Sequence, residues 1–198
     1  VTRYSQEFWI NQDTNKAIIP IMRNASTSIK NVLSQHKQWQ ESHTFVDVNN
    51  KFYTVWRDPY WRFLSALGRE LSDILDNHKG NERSTLENYI IEWSENPDSM
   101  LQLKHMLSQT DTCKGATEPG SDIIVYRFDC LRKMMQEATQ LDVQMPLLNE
   151  SAKHHYIILE FLDKYNTRWM EGWHQDRYKQ DYLTWDQLTN SETCVISN

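Results

Sequence analysis

A guanidinium and three side-chain hydroxyls crowd one short stretch, Arg23-Asn24-Ala25-Ser26-Thr27-Ser28, directly ahead of apolar residues at helical spacing, Ile29, Val32 and Leu33. A helix that opens on such a stretch offers backbone N–H groups, hydroxyl donors and a fixed positive charge, which is the equipment for holding an anion. The same residues also suit an ordinary N-cap, so the segment alone leaves both readings open. It is not a Walker A loop, because GxxxxGK[ST] is absent and the stretch contains no glycine. A second stretch, Arg57-Asp58-Pro59-Tyr60-Trp61-Arg62-Phe63-Leu64-Ser65-Ala66, also follows an apolar run. Within it and just beyond, Arg62, Ser65 and Arg69 recur at spacings of three and four, so on a helix they share a face and can address one polar ligand. For Arg62 and Arg69 the competing reading is a solvated basic face.

Strands and helices must hold these residues in place. Ala17 to Met22 (AIIPIM) reads as a short strand before the first stretch, with a helix from there through about Gln38. Phe52 to Trp56 (FYTVW) reads as a second, buried strand that ends at Arg57. Asp58 can cap the next helix with Pro59 at its first position, and Phe63, Leu64, Leu67, Leu71 and Ile74 give that helix an apolar stripe. Ser84-Thr85-Leu86-Glu87 reads as a capping box, and Asn96-Pro97 stops the helix it opens. Ile123 to Phe128 (IIVYRF) is a third strand, Asp129 can cap the helix that buries Met134, Met135 and Ala138, and a further helix covers about residues 157–169. Strands separated by helices predict an α/β fold with a mainly parallel sheet and helices on both faces. Its 198 residues suit one domain, with about residues 190–198 a frayed tail. In such a sheet ligands bind beyond the carboxyl ends of the strands, where both polar stretches stand.

Together the two stretches resemble the nucleotide-binding signature of the sulfotransferases that use 3′-phosphoadenosine 5′-phosphosulfate (PAPS), specifically the carbohydrate branch typified by Golgi enzymes. In that family a strand leads into a PK-x-(A/G)-(S/C)-T-S-like loop around the 5′-phosphosulfate, and here Met22 to Ser28 reads MRNASTS. A later strand leads into RDP-x-x-R-x-x-S, which grips the 3′-phosphate, and Arg57 to Ser65 (RDPYWRFLS) matches every fixed position. Leu103 to Gln109 (LKHMLSQ) is similar to the family's H-W-x-P-Q region, with Cys113 following. Val125 to Leu131 (VYRFDCL) resembles its strand ending in (Y/F)-E-x-L, and Asn149-Glu150-Ser151 resembles its N-x-S. The pieces run in order from about residue 17 to 165.

The resemblance implies a P-loop-like three-layer fold, PAPS as donor, adenosine 3′,5′-bisphosphate as product, and no metal. Arg23, Asn24, Ala25, Ser26, Thr27, Ser28, Arg57 and Ser65 would then bind the donor. A 3′-phosphate and a 5′-phosphosulfate need two separate anion sites, and two strand-to-helix junctions can provide them. Like phosphoryl transfer, the reaction would rest on in-line positioning, charge neutralisation and a base for the acceptor hydroxyl. Arg23 stands where the family usually has lysine and Met22 where it has proline; arginine can grip the leaving phosphate bidentately but keeps its proton. Among seven histidines, His43 lies in a region where some uronyl and glucosaminyl sulfotransferases carry a catalytic histidine, and it is the expected base. His105 is the second choice, with His105 and Gln109 as acceptor-binding residues, and Glu70 the third. Lys153 could reach the donor from a loop.

A net charge of −6, from 21 Lys and Arg against 27 Asp and Glu, is the wrong sign for coating nucleic acid or an anionic membrane. It turns the expected acceptor toward a neutral or weakly anionic carbohydrate or another small hydroxylated molecule. Hydrophobic residues at 39% and aromatics at 12% are enough for a core and exclude wholesale disorder. The longest apolar run is Ala17 to Met22, against the roughly 20 residues of a membrane helix. Cys113, Cys130 and Cys194 cannot all pair and show neither CxxC nor zinc spacing, so neither a disulfide scaffold nor a structural metal is expected. A reducing compartment follows, the cytoplasm for a microbial or viral protein, with the Golgi lumen as the alternative for an excised catalytic domain. Two other functions stay open, a P-loop-like small-molecule kinase and a non-catalytic nucleotide-binding relative.

Overall fold

The computed structural model describes residues 7–43, 51–77, 80, 82–103, 105–117, 120–145, 161 and 168–197. The chain packs as two compact units, the first from residues 1–57, 108–148 and 180–198, the second from residues 58–107 and 149–179.

The first unit is built on a six-stranded sheet of order β3-β1-β2-β4-β5-β6. Its strands are β1 (Phe8–Asn11), β2 (Lys16–Ile18), β3 (Gln40–Ser42), β4 (Lys51–Trp56), β5 (Ile123–Arg127) and β6 (Val195–Ser197). β2–β4 and β4–β5 pair parallel, whereas β1–β2, β1–β3 and β5–β6 pair antiparallel. The sheet is therefore mixed rather than mainly parallel, with a parallel centre and antiparallel flanks.

Alternation along the strands explains why both faces are covered. Trp9, Ile18, Tyr53, Val55 and Tyr126 pack into one apolar cluster with helices α1 (Ser26–Leu33) and α5 (Leu131–Thr139). Their chain neighbours Phe8, Ala17, Phe52, Trp56 and Val125 pack into another, with Cys113 and Ala116 of α4 (Gln109–Ala116) and Leu188 of α7 (Lys179–Asn190). This is the α/β arrangement expected, a sheet flanked by helices.

Several local expectations change. The apolar run 17–22 yields a strand only to Ile18, since after the Ile19 N–H bonds the Tyr53 carbonyl at 2.9 Å, Pro20 has no N–H to continue the ladder. Helix α1 stops at Leu33 rather than near Gln38. Asp129 does not cap α5: its carboxylate takes the Arg127 guanidinium at 2.7 and 2.9 Å, and residues 128–130 form a 3₁₀ turn instead. The expected frayed tail contains β6, which completes the sheet against β5.

That strand is also fastened covalently, for Cys130 and Cys194 form a disulfide across 64 residues of chain, with the buried Cys113 outside the bridge. The expectation of no disulfide is corrected, and with it goes the ground for assigning a reducing compartment.

The second unit contains α2 (Pro59–Asn77), α3 (Glu82–Glu95), a 3₁₀ helix (Pro97–Gln102) and α6 (Arg168–Arg177). Asp58 and Pro59 open α2 as expected, with Asp58 Oδ1 accepting the Trp61 N–H at 2.9 Å. Phe63, Leu67, Leu71, Trp93, Met100 and Phe161 are among its buried core. Helix α3 begins at Glu82, so Ser84 lies inside it rather than at its cap. The helix expected at 157–169 falls almost wholly outside the described residues. Among the described residues no helix is long and apolar enough to cross a membrane.

Candidate functional site

The loop between β2 and α1 reaches its conformation without glycine. Arg23 (φ 67°) and Ala25 (φ 58°) both sit in the left-handed region, which costs on the order of 1 kcal/mol or more each for residues with a Cβ. Asn24 between them is fully buried and anchors the loop, its Nδ2 donating to the Val55 carbonyl at 2.9 Å and to Gln109 Oε1. Its Oδ1 is buried with no hydrogen-bond partner among the described residues. The Asn24 N–H is spent inside the loop, on the Ile21 carbonyl at 3.0 Å. At the next position Ala25 is the N-cap of α1 and has no side-chain acceptor, and the first turn, Ser26, Thr27 and Ser28, holds no acidic residue. This helix start thus lacks the internal anion that proteins commonly place there. Ser26 is half-buried, Thr27 exposed and Ser28 buried.

Arg57 follows the last residue of β4. β2 and β4 are parallel neighbours, so the Arg23–Ser28 loop and Arg57 leave the same edge of the sheet, one strand spacing of about 4.8 Å apart in strand order. The Arg57 guanidinium lies 5.5 Å from the centroid of the Phe128 ring, and its backbone is held from both sides. Gln109 Oε1 accepts the Arg57 N–H at 3.0 Å and Gln109 Nε2 donates to the Arg57 carbonyl at 3.0 Å. Gln109, expected to touch the acceptor, is fully buried and spends its amide on Arg57 and Asn24, keeping one Nε2 hydrogen for any other partner. The backbone N–H groups of Gln109 and Thr110, and the Thr110 hydroxyl, donate in turn to Asp181 of α7 at 2.7, 2.9 and 2.7 Å. Asp181, 2% exposed, escaped sequence reasoning: an aspartate in a polar helix looks like any solvated one.

His43 follows β3 and so emerges at the same sheet edge, with β1 intervening between its strand and β2. Its side chain is half exposed and its Nε2 lies 3.1 Å from Glu41 Oε1.

In the second unit Ser65 is half-buried within α2. Arg69 pairs with Asp73 on the surface at 3.0 Å, the solvated reading. Arg62 is not on a solvated face: only 4% of it is exposed. Glu70 and His105, separate candidates in the sequence, form a pair, since Glu70 Oε1 takes both the His105 N–H at 2.9 Å and His105 Nδ1 at 2.6 Å. Burial pushes the Glu70 carboxyl up, but the hydrogen bonds and charge from His105, with Arg69, outweigh it and hold the group below the usual carboxylate range. Bonding through Nδ1 leaves Nε2 as the atom available for chemistry.

Behind Arg62 lies a further titratable group that composition could not flag. His174 stacks on Tyr178 at 4.3 Å and packs against Phe63 and Tyr60, and burial, with Arg62 nearby, lowers its pKa to about 3. Unfolded, the imidazole charges near its ordinary value of 6.5, so between those limits the unfolded state binds more protons. The contribution to stability is complete above about pH 6.5 and is lost as the pH falls toward 3. The His174→Phe variant is therefore expected to lose less stability than the parent between about pH 7 and 4, measured by urea unfolding along the pH series. Equal losses would place the acid sensitivity elsewhere.

Asn149, Glu150, Ser151 and Lys153 lie outside the described residues. No cluster of His, Cys, Asp and Glu that could hold a metal ion occurs among those described. No family model, curated protein or solved structure matches the chain.

Proposed function

We propose that the protein is a PAPS-dependent O-sulfotransferase acting on a hydroxyl of a carbohydrate or another small hydroxylated molecule. The supporting observation is the edge of the first unit where a left-handed, glycine-free loop enters α1 one strand away from Arg57, the two being tied together through Asn24 and Gln109. The residues fit a ligand with two anionic ends: Arg23 and the hydroxyls of Ser26, Thr27 and Ser28 for the phosphosulfate, Arg57 for the 3′-phosphate. Ser65 is assigned to the 3′-phosphate by the family motif alone.

In the reaction the acceptor oxygen bonds to sulfur while the bond from sulfur to the 5′-phosphate oxygen breaks. The acceptor proton passes to a base, and adenosine 3′,5′-bisphosphate leaves. Negative charge grows on the leaving phosphate, where Arg23 can hold it by a bidentate charge-assisted bond without surrendering a proton. An imidazole serves as base, and His105, held by Glu70, is better prepared for it than the half-exposed His43.

A thermal-shift titration with adenosine 3′,5′-bisphosphate, ADP and AMP, without metal, tests the reading. A ligand at about 100 times its Kd stabilises by roughly 2.7 kcal/mol, a shift of several degrees for a chain of this size. The bisphosphate is expected to shift the midpoint at concentrations where ADP and AMP do not. An equal shift for ADP, or none for any ligand, would overturn it.

A further inference from the structure

We infer that Gln109 is a positioning residue that sets Arg57 against the Arg23–Ser28 loop, and that Asp181 holds Gln109 in register. The four residues come from distant parts of one unit, residues 24, 57, 109 and 181. Asn24 and Gln109 are fully buried and Asp181 is 2% exposed. Gln109 treats Arg57 as a partner strand would, accepting from its N–H and donating to its carbonyl, both at 3.0 Å. The same Oε1 accepts from Asn24 Nδ2, so one amide bonds both strand-end segments. Its own position is fixed by Asp181, which caps the start of α4 through Gln109 N and Thr110.

Apolar contacts would hold these segments together while tolerating small slides, whereas a buried polar network is satisfied in one geometry and costs free energy in every other. The precision matters for a ligand anchored at two points, because a small change in separation spoils one anchor or the other. A ligand with a single phosphate is indifferent to that separation. The ligand's identity rests on the sulfotransferase reading; the coupling of the two segments does not.

Three variants, read by titration and by hydrogen exchange, test the inference. Calorimetric titration well below each variant's unfolding midpoint is expected to show Gln109→Met binding adenosine 3′,5′-bisphosphate at least about tenfold more weakly, with AMP changed much less. Gln109→Glu keeps the acceptor but, ionised, repels the Arg57 carbonyl, with the Asp181 carboxylate on its own backbone N–H and the Arg57 guanidinium against the Phe128 ring. Protonation restores a donor to that carbonyl, so its affinity relative to the parent should recover as the pH is lowered, whereas Gln109→Met should stay flat. A purely structural role would lower the unfolding midpoint without either signature. Equal losses for both nucleotides, or an unchanged bisphosphate Kd, would overturn the inference.

Hydrogen exchange on the ligand-free chain supplies a readout that needs no nucleotide. In Gln109→Met and in Asp181→Asn, the amides of Arg57, Asn24 and Ile29, bonded to Gln109, the Ile21 carbonyl and the Ala25 carbonyl, are expected to lose protection together. Loss confined to α4 would overturn the coupling. If the parent protein binds no nucleotide, the sulfotransferase reading falls and the exchange result alone decides whether Gln109 sets the two segments.

Discussion

Replacing Arg57 with alanine is expected to weaken binding of adenosine 3′,5′-bisphosphate about 100-fold and to leave AMP within about threefold, because one charge-assisted phosphate contact contributes about 3 kcal/mol. The variant is a clean probe because the backbone at this position does not depend on the side chain. Gln109 bonds both the Arg57 N–H and its carbonyl, and β4 pairs on both sides, with β2 and with β5 through Trp56. Alanine therefore removes a guanidinium and its packing on Phe128 without shifting the strand end. Arg69→Ala serves as the control: Arg69 is ion-paired with Asp73 on the surface, where such pairs contribute little, and neither ligand should notice the change. Titration of both nucleotides against both variants decides the matter. If AMP and the bisphosphate lose affinity equally, Arg57 does not discriminate the 3′-phosphate, and the assignment of its segment fails.

How much of this was legible in the sequence depends on how far apart the interacting residues lie along the chain. Asp58-Pro59 and the apolar run of β4 are local signals, and the strand-to-helix junction they mark is where it was read. β1, β3 and β6 were missed for a local reason too: strands of three or four residues hold too few positions to display a period, and Gln40-Glu41-Ser42 has no apolar residue at all. Helix α2 misled in another way. Its stripe was correct, but a helix packed on more than one side buries polar positions as well, and so Arg62 and Glu70 left the solvent. The candidate site followed the same rule. The two polar stretches proposed to bind the donor are contiguous motifs and could be found; the bonds that fix them join residues 24, 57, 109 and 181, and no pattern of spacing announces such a network. Gln109 was singled out as a site residue, yet a role built on Arg57's backbone could be seen only in three dimensions.

His105→Ala is expected to lower turnover by about 10²- to 10⁴-fold while leaving the Kd for adenosine 3′,5′-bisphosphate unchanged, the usual range for loss of a general base. His105 is the better prepared of the two imidazoles. Glu70 Oε1 holds both the His105 N–H and Nδ1, with both side chains largely buried, so ring orientation and tautomer are set before any acceptor arrives. His43 has only an exposed contact to Glu41, and holding a half-exposed ring in one geometry costs side-chain entropy at each turnover. His43→Ala is expected to leave turnover within about threefold, the small effect typical of an exposed ion pair. Glu70→Gln separates a base-orienting role from mere packing. The amide can still accept from His105, but it no longer offers a negative charge to the imidazolium, and Arg69 beside it, itself paired with Asp73, then opposes that cation. With less to balance the imidazolium formed as the acceptor proton is taken up, kcat should fall while the Kd for adenosine 3′,5′-bisphosphate stays unchanged. A matching loss of bisphosphate affinity would make Glu70 structural, and a collapse of turnover in His43→Ala with none in His105→Ala would transfer the base to the edge of the sheet.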